Sequence, residues 1–255
     1  MAPRDLEAPP GQDSDWDELY VARGTEVMAH RPIYAGDVFT RVPLRPTRGE
    51  VKTRPAMVIQ HPCAMRPDGV HLAPSILMAR VHAFGVLERA RWGTNGRLMP
   101  LPGIMPELQS NNRNQAAFFD DTYHVHPDDL SLQNRIACLS EIGTYLLLQR
   151  WVYHSSRVVV PTWQYEEINS HVFAEADLIE SWCEQATEAG VTLSGACADA
   201  AAWLDEDVGD TTRRRKLRNS ALRSALLRDV KRTTKERYGR SAPVIPLQSS
   251  GPEQQ

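Results

Sequence analysis

The sequence predicts an α+β fold, with a small β-barrel in the first half of the chain and helices in the second half. Between residues 36 and 126, short runs of apolar and β-branched residues alternate with loops that contain Gly or Pro, and no helical periodicity separates them. After His126, apolar residues instead recur every three or four positions, which is the spacing of one helix face. Short strands without intervening helices favour a barrel over a sheet of alternating strands and helices.

Four runs predict the strands of the barrel. The first run, residues 36–44, opens with glycine and places alternate residues on one side of a strand. The next two runs are the short apolar segment 56–60 and a longer segment that extends from Ser75 to about Phe84. The fourth run, residues 116–126, follows a loop rich in Gly and Pro.

The helices are predicted to begin at residues 127–129, where a proline followed by two aspartates favours the positive end of a helix dipole. One apolar face follows at helical spacing, formed by Leu132, Ile136, Leu139, Ile142 and Leu146. Further helices are predicted over residues 174–189, 194–204 and 213–240. The last of these carries an apolar stripe beside many basic residues.

These patterns divide the chain into four predicted regions. Residues 1–30 are acidic and rich in Pro at their start, which predicts a flexible arm. Residues 31–157 would form the barrel with its terminal helix, and residues 158–240 a helical extension that ends in the basic helix. Residues 241–255 are rich in Pro, Ser and Gln, which predicts a disordered tail.

The composition is that of a folded, soluble protein. Of the 255 residues, 42% are apolar and 24% are charged, and no run approaches the length of a membrane span. The first residues lack the apolar core of a secretory signal. The four cysteines form no CxxC pair, which argues against a zinc ribbon or a disulfide framework. We therefore expect a cytoplasmic protein without membrane contact and without a cofactor.

The overall charge of −3 conceals a strong asymmetry. Residues 213–240 contain twelve Lys or Arg and two acids, so this segment carries +10 and the remainder of the chain −13. A basic helix of this kind would release counterions on contact with a phosphate backbone. It could equally pack against an acidic protein partner or against the acidic remainder of this chain.

Three short motifs follow one another near the start of the predicted barrel. They are Gly36-Asp37-Val38, then the Pro-Thr-x-Gly-Glu loop over residues 46–50, then Lys-x-Arg-Pro-Ala-x-Val-Ile over residues 52–59. In this order and spacing they resemble the amino-terminal part of the MazF/PemK toxin family, endoribonucleases with an SH3-like barrel. The similarity covers about residues 36–60 and extends more loosely to about residue 150.

The resemblance implies a catalytic role for Arg54. In this family the arginine of the Arg-Pro-Ala motif stabilises charge on the scissile phosphate, and a threonine or serine at the end of the third strand assists. This sequence departs from the family there, because Arg80 or His82 stands where the hydroxyl is expected. A histidine can act as a general acid or base, so we predict Arg54 and His82 as catalytic residues.

Basic residues in two regions are predicted to contact a nucleic-acid backbone. The second motif contributes Arg48, and the third contributes Lys52. The start of the basic helix contributes Arg213, Arg214, Arg215 and Lys216. Aromatic residues are sparse in that helix, so its contacts would be with phosphates and would not identify bases.

One cluster could hold a metal ion. His124 and His126 are two residues apart and would share one face of a strand, with Asp121 or Asp128 close by. The alternative is that the aspartates cap the following helix while both histidines face solvent. We predict no bound metal and keep this pair as the candidate ligands.

Two functions from different classes follow. The first is a MazF/PemK-like, RNA-cleaving or RNA-binding protein of a toxin or phage-defence system, working without a metal ion. The alternative is a non-catalytic module, from a phage-derived or defence assembly, that binds protein or nucleic acid on a degenerate barrel. A metal-dependent hydrolase built on the two histidines is a third hypothesis, and a homodimer is a further candidate assembly.

Overall fold

A computed structural model describes residues 6–11, 16–28, 31–46, 48–67, 71–85, 88–104 and 113–239; at 113 and 167–169 it describes the backbone alone. The chain divides into two compact units, which comprise residues 1–176 and 177–255. The first unit contains a large sheet, and the second is mainly helical.

Seven strands of the first unit form one antiparallel sheet, in the order β1-β7-β2-β3-β4-β6-β5. Their bounds are β1 (Tyr20–Arg23), β2 (Val38–Leu44), β3 (Lys52–Val58), β4 (Ile76–Gly85), β5 (Leu98–Leu101), β6 (Arg113–Val125) and β7 (Arg135–Leu139). The α+β class and the order of strands followed by helices are confirmed. The predicted barrel is not closed within the described residues, because no hydrogen-bonded pair joins the edge strands β1 and β5.

Two helices lie within the first unit, and a long third helix contains the boundary between the units. They are α1 (Pro62–Met65), α2 (Glu141–Ser156) and α3 (Thr162–Glu188). The second unit adds α4 (Leu193–Asp205), a small hairpin of β8 (Asp207–Val208) and β9 (Thr211–Thr212), α5 (Arg213–Lys216) and α6 (Ser220–Tyr238). Along the described residues, no helix is both long enough and apolar enough to cross a bilayer.

Each face of the sheet carries its own apolar core. On the first face, alternate residues of β3, β4 and β6 pack with Leu146 and Leu147 of α2. On the second face, Phe39, Ala56 and Met78 pack under the segments that carry Ile33, Met65 and Leu130. The second core includes β4 residues Ile76 and Met78 and no residue further along that strand. On this strand, the positions of the same face after Met78 carry the polar side chains of Arg80 and His82.

The Gly-Asp-Val motif has a structural role at the start of β2. Gly36 has a φ of +89°, and a Cβ there would approach Leu139 to within 2.7 Å, so a larger residue would clash. Asp37 forms a buried ion pair with Arg135 at 2.9 Å. The same guanidinium donates to the carbonyl oxygens of Met28, Arg31 and Pro32. The motif thereby fixes the chain before β2 against β7.

The second unit has a core of aromatic and aliphatic side chains. Trp182 of α3 is fully buried, and its ring centroid lies 5.5 Å from that of Trp203 in α4. The indole N–H of Trp182 donates to the hydroxyl of Tyr238, which in turn donates to Asp199. The other buried members include Leu178, Cys183, Ala196, Ala200, Leu204, Leu217, Leu226 and Val230.

The predicted helix start after His126 is wrong. Residues 127–129 and 132–134 form short 3-10 turns, and the strand β7 follows before α2 begins at Glu141. Ser140 caps α2, because its hydroxyl oxygen accepts a hydrogen bond from the amide of Gly143 at 3.0 Å. Hydrogen bonding to β1 and β2 holds residues 135–139 in a strand, despite their helical apolar spacing.

The predicted basic helix over residues 213–240 is also interrupted. α5 ends at Lys216, and α6 begins at Ser220 with Asn219 as its cap. Leu217 is fully buried between the two helices, which explains why the chain turns there. Residue 240 lies outside the described part of the chain.

The region boundaries differ from the predicted ones in two places. The division between compact units falls after residue 176, inside α3, instead of after residue 157. Within the predicted flexible arm, Leu6 and Leu19 are buried and residues 20–23 form a strand of the sheet. The predicted tail, residues 241–255, lies outside the described residues.

Candidate nucleic-acid interface

Arg54 lies near the start of β3, on the second sheet face, before the first residue that this strand contributes to the core of that face, Ala56. It is paired with Val42 of β2, whose side chain belongs to the core of that face. Paired residues share a face, so Arg54 points to the same side as Val42. Its side chain is exposed, and its guanidinium donates only to the carbonyl of Thr53, at 3.1 Å, among the contacts of the described residues.

Arg80 and His82 extend from the neighbouring strand on the same face. Arg80 is paired with Ala56, the second residue after Arg54. Side chains alternate along both strands, so Arg54 and His82 lie on this face as well. Each is two residues beyond Ala56 and Arg80, the last pair of β3 and β4. The two predicted catalytic residues thus lie on the same side of adjacent strands.

Phe118 of β6 completes the group. Its ring stacks on the imidazole of His82, with the centroids 3.8 Å apart and the planes 14° from parallel. Phe84 supports the stack from the edge, at 6.1 Å, and itself packs against the first core. Within the described residues, neither ring nitrogen of His82 has a hydrogen-bond partner.

A bulge in β6 places a carboxylate beside this stack. Thr122 pairs with Ala79 and Phe118 with Arg80, so three residues of β6 are inserted at that step. One of them, Asp121, forms an ion pair with Arg80 at 3.2 Å. A hydrogen bond to Asp121 also raises the pKa of Tyr123. The bulge therefore holds the Arg80 guanidinium next to His82.

The surroundings of His82 favour its neutral form. Partial burial lowers the pKa of the imidazole below its ordinary value of 6.5, and the positive charge of Arg80 lowers it further. The carboxylate of Asp121 acts in the opposite direction but contributes less. A neutral imidazole near pH 7 is able to accept a proton.

We name these four side chains, Arg54, Arg80, His82 and Phe118, the arginine–aromatic surface. It combines guanidinium groups, which bind phosphate, with a stacked ring pair on which a base could lie. Lys52 extends it along β3, because it is exposed and lies two residues before Arg54 on the same side. Arg48 is exposed in the loop before β3, next to Thr47, which lies outside the described residues.

The four predicted contacts of the basic helix divide into two kinds. Arg213 lies against the Trp203 ring and forms ion pairs with Glu206 at 2.5 Å and Asp229 at 3.6 Å. Arg214 forms a two-pronged pair with Asp205, at 2.7 and 3.2 Å. Arg215 is exposed and Lys216 half-exposed, and neither forms an ion pair among the described residues. Arg213 and Arg214 therefore stabilise the second unit.

The predicted metal candidates do not assemble into a site. The Nδ1 atom of His124 lies 2.9 Å from the hydroxyl of Ser75. His126 caps the 3-10 turn that follows it, because its Nδ1 atom accepts a hydrogen bond from the Asp128 amide. In the part of the chain that the structure describes, no three His, Cys, Asp or Glu residues are grouped closely enough to hold a metal ion.

Sequence reasoning missed Phe118 as a member of this surface and Asp121 as the partner of Arg80. Both stand in a run that was correctly predicted as a strand, Ala-Ala-Phe-Phe-Asp-Asp-Thr-Tyr over residues 116–123. The two adjacent aspartates in an otherwise apolar strand were a signal for an irregularity. Their contact with Arg80 and His82 depends on the three-residue bulge, which no sequence pattern specifies.

Neither the family models nor the curated proteins to which the sequence was compared give a match. The MazF/PemK resemblance therefore stays a prediction that depends on residues 36–60.

Proposed function

We propose that the protein binds single-stranded RNA on the arginine–aromatic surface and cleaves it without a metal ion, as a MazF/PemK-like endoribonuclease. One observation carries this proposal. Arg54 and His82, chosen from sequence as the catalytic pair, lie on the same side of two adjacent strands, beyond the residues Ala56 and Met78 that these strands contribute to the second core.

The proposed reaction needs only a base and a positive charge. His82, in its neutral form, accepts the proton of an RNA 2′-hydroxyl, and the 2′-oxygen forms a bond to the neighbouring phosphorus. The bond from phosphorus to the 5′-oxygen breaks, and the imidazolium returns its proton to that oxygen. The products are a 2′,3′-cyclic phosphate and a 5′-hydroxyl.

The arginines contribute in different ways to this proposal. Arg54 has no carboxylate partner among the described residues, so its charge is available to the phosphate in the transition state. Burial lowers the pKa of His82 most, and the charge of Arg80, which is held by Asp121, lowers that pKa further and so favours the neutral ring. The stacked rings of His82 and Phe118 offer a surface to the base beside the scissile bond.

The test is RNA cleavage by the purified full chain in the presence of EDTA. We expect fragments that end in a 2′,3′-cyclic phosphate, and no fragments with His82→Gln. Phe173→Leu, a substitution in the small core at α2 and α3, is a control for general damage to the first unit. Intact RNA across pools of varied sequence would contradict the catalytic proposal, while salt-sensitive binding without cleavage would support a non-catalytic module.

A specific feature of the second unit favours the alternative function, an interaction module for an acidic protein partner. A groove of about 510 Å³ lies along α6 and has apolar walls that include Leu222 and Leu226. Its charged lining consists of three basic side chains and one carboxylate, those of Lys216, Arg228, Arg232 and Asp229, and Arg232 forms an ion pair with Asp229. Leu222 is 40% exposed and adds apolar surface to this groove. An acidic amphipathic helix would complement this groove in charge and shape.

This second candidate is tested by co-purification with an acidic protein partner. Leu222→Ser should abolish co-purification of an acidic partner while leaving RNA cleavage unchanged. Retained co-purification in that variant, with unchanged affinity, would exclude the groove as the contact.

A further inference from the structure

A cavity in the first unit, remote in sequence from the arginine–aromatic surface, has no role in the function proposed above. Its volume is about 540 Å³, and it lies where the start of α2, the start of α3 and the segment around Glu7 meet. Its walls are of two kinds. Glu7, Glu141 and Glu166 supply carboxylates, and Ile142, Tyr145 and Trp163 supply apolar and aromatic surface.

Trp163 is the first reason to regard this cavity as a binding site. Its side chain is 59% exposed, whereas Trp92 and Trp182 are fully buried. Most of this ring is in contact with water, so a ligand that covers it buries apolar surface, and this burial favours binding. Ile142, on the facing helix, is 41% exposed and adds further uncovered apolar area to the same cavity.

The carboxylates determine the charge of the ligand. Glu7 is committed to the protein, because it accepts hydrogen bonds from the amide of Thr162 at 2.8 Å and from the side-chain amide of Gln149 at 3.0 Å. The buried guanidinium of Arg150 stands near it and donates to its backbone carbonyl. One of the three negative charges is thus partly compensated.

The other two carboxylates face solvent, and the described part of the chain pairs neither with a cation. Glu141 accepts a hydrogen bond from the Tyr145 hydroxyl at 2.5 Å, and Glu166 follows Trp163 by one helical turn. Both are exposed, and among the described residues neither forms an ion pair. An aromatic face and a carboxylate side by side on one helix turn match a planar cation, which can stack on the ring while it donates to the carboxylate.

We infer that this cavity binds a guanidinium group with an apolar stem, stacked on Trp163 and paired with Glu166 and Glu141. A planar guanidinium fits better than a compact ammonium ion, because it stacks and forms two parallel hydrogen bonds with a carboxylate at the same time. The group could belong to an arginine of another protein chain or to a free small molecule. The chemistry of recognition is the same for both sources.

The test is calorimetric titration of the full chain with two isosteric probes, acetyl-arginine amide and acetyl-citrulline amide, which differ in charge. A single side chain of this size should bind with a dissociation constant of about 1 mM, and the neutral probe at least tenfold more weakly. Equal affinity for the two probes, or no heat of binding at 10 mM, would overturn the inference.

Three variants locate the site. Trp163→Leu keeps apolar area but removes the aromatic face, and Glu166→Gln keeps shape but removes the charge; we expect each to weaken acetyl-arginine amide binding about fivefold. Glu188→Gln removes an exposed charge of the same helix that does not line the cavity, and should change nothing. Unchanged binding in both cavity variants would contradict the assignment, and thermal melting confirms that all three are folded.

A second comparison distinguishes the sources of the guanidinium. Free arginine adds an α-ammonium and an α-carboxylate to the same side chain, so stronger binding of acetyl-arginine amide shows that these groups are not accommodated and indicates a side chain within a protein chain. Equal or stronger binding of free arginine indicates a small-molecule ligand. Both results support the guanidinium site.

Discussion

The arginines of the two units carry the same charge but have different surroundings. In the first unit, Arg54 is exposed and bonds only to a backbone carbonyl within the described residues. In the second unit, Arg213 and Arg214 are held by Glu206, Asp229 and Asp205, and their side chains are 15% and 18% exposed. A count of basic residues therefore locates positive charge without distinguishing ligand contacts from structural contacts. The number of carboxylate partners makes that distinction.

The largest effect we predict is on catalysis by Arg54. The variant Arg54→Ala should cleave single-stranded RNA about 100- to 1000-fold more slowly, because a charge that stabilises the phosphate in the transition state is lost. Its free energy of unfolding should change by less than about 0.5 kcal/mol, since an exposed side chain without an ion pair is removed. Single-turnover cleavage and urea denaturation measure the two quantities. A variant that cleaves normally would remove Arg54 from the proposed site.

The next effect is on stability, in the second unit. Arg213→Ala should lower the free energy of unfolding by about 2 kcal/mol, because Glu206 and Asp229 lose a partly buried cation and the Trp203 carbonyl loses a donor. Arg215→Ala is the matched control. Arg215 lies in the same helix turn as Arg213 but is exposed, so its removal should change the free energy of unfolding by less than about 0.5 kcal/mol. Equal destabilisation by the two variants would contradict the division of roles drawn above.

The pH dependence of cleavage should reveal the state of His82. Burial and Arg80 lower the pKa of its imidazole, so the neutral base persists to a pH below 6.5. The acid limb of the cleavage rate should therefore lie below pH 6.5. In Asp121→Asn the opposing carboxylate is lost and Arg80 is released from its ion pair. The acid limb should then move further to lower pH if Arg80 remains close to His82. In the wild type, an acid limb above pH 6.5 would contradict His82 as the base.

The same pKa shift predicts a small effect on stability. Between the lowered pKa of the folded state and the ordinary value of 6.5, the unfolded chain binds more protons at His82 than the folded chain does. Stability contributed by this group is therefore present above pH 6.5 and decreases as the pH falls below it. His61 and His154 also have lowered pKa values, so the difference between wild type and His82→Gln isolates the contribution of His82.

The smallest effect concerns the periphery of the surface. Lys52→Ala should weaken RNA binding only a few-fold and should reduce the slope of log affinity against log salt by about one, as expected for one lost phosphate contact. Arg214→Ala should leave that slope unchanged, because Asp205 already neutralises this arginine. Fluorescence anisotropy over a range of salt concentrations measures both. A reduced slope in Arg214→Ala would show that the basic segment takes part in binding.

Local sequence patterns predicted most of the sheet. The strands at residues 38–44, 76–85 and 113–125 correspond to runs with alternating or apolar character, and Ala56–Ile59 is buried as predicted for a short core segment. The chain order of strands before helices was equally visible. These features depend on residues that are close in sequence, so local patterns of apolar and polar residues predict them well.

Features that depend on distant partners were missed. Residues 135–139 have helical apolar spacing but pair with β1 and β2, more than 90 residues earlier in the chain. The approach of Asp121 to Arg80 requires the β6 bulge, and the burial of Leu217 interrupts a segment that reads as one basic helix. The ion pairs of Arg213 and Arg214 had a signal in the sequence. Their partners Asp205 and Glu206 lie only a few residues earlier, and the short hairpin of β8 and β9 brings the two segments together.

The central claim is that RNA binds the first unit at the arginine–aromatic surface. Amide hydrogen exchange of the full chain, measured with and without single-stranded RNA, tests it most directly. The account predicts added protection at the start of β3, the end of β4 and the Phe118 region of β6, and its loss in Arg54→Ala. Protection confined to α5 and α6, or no protection at saturating RNA, would contradict it.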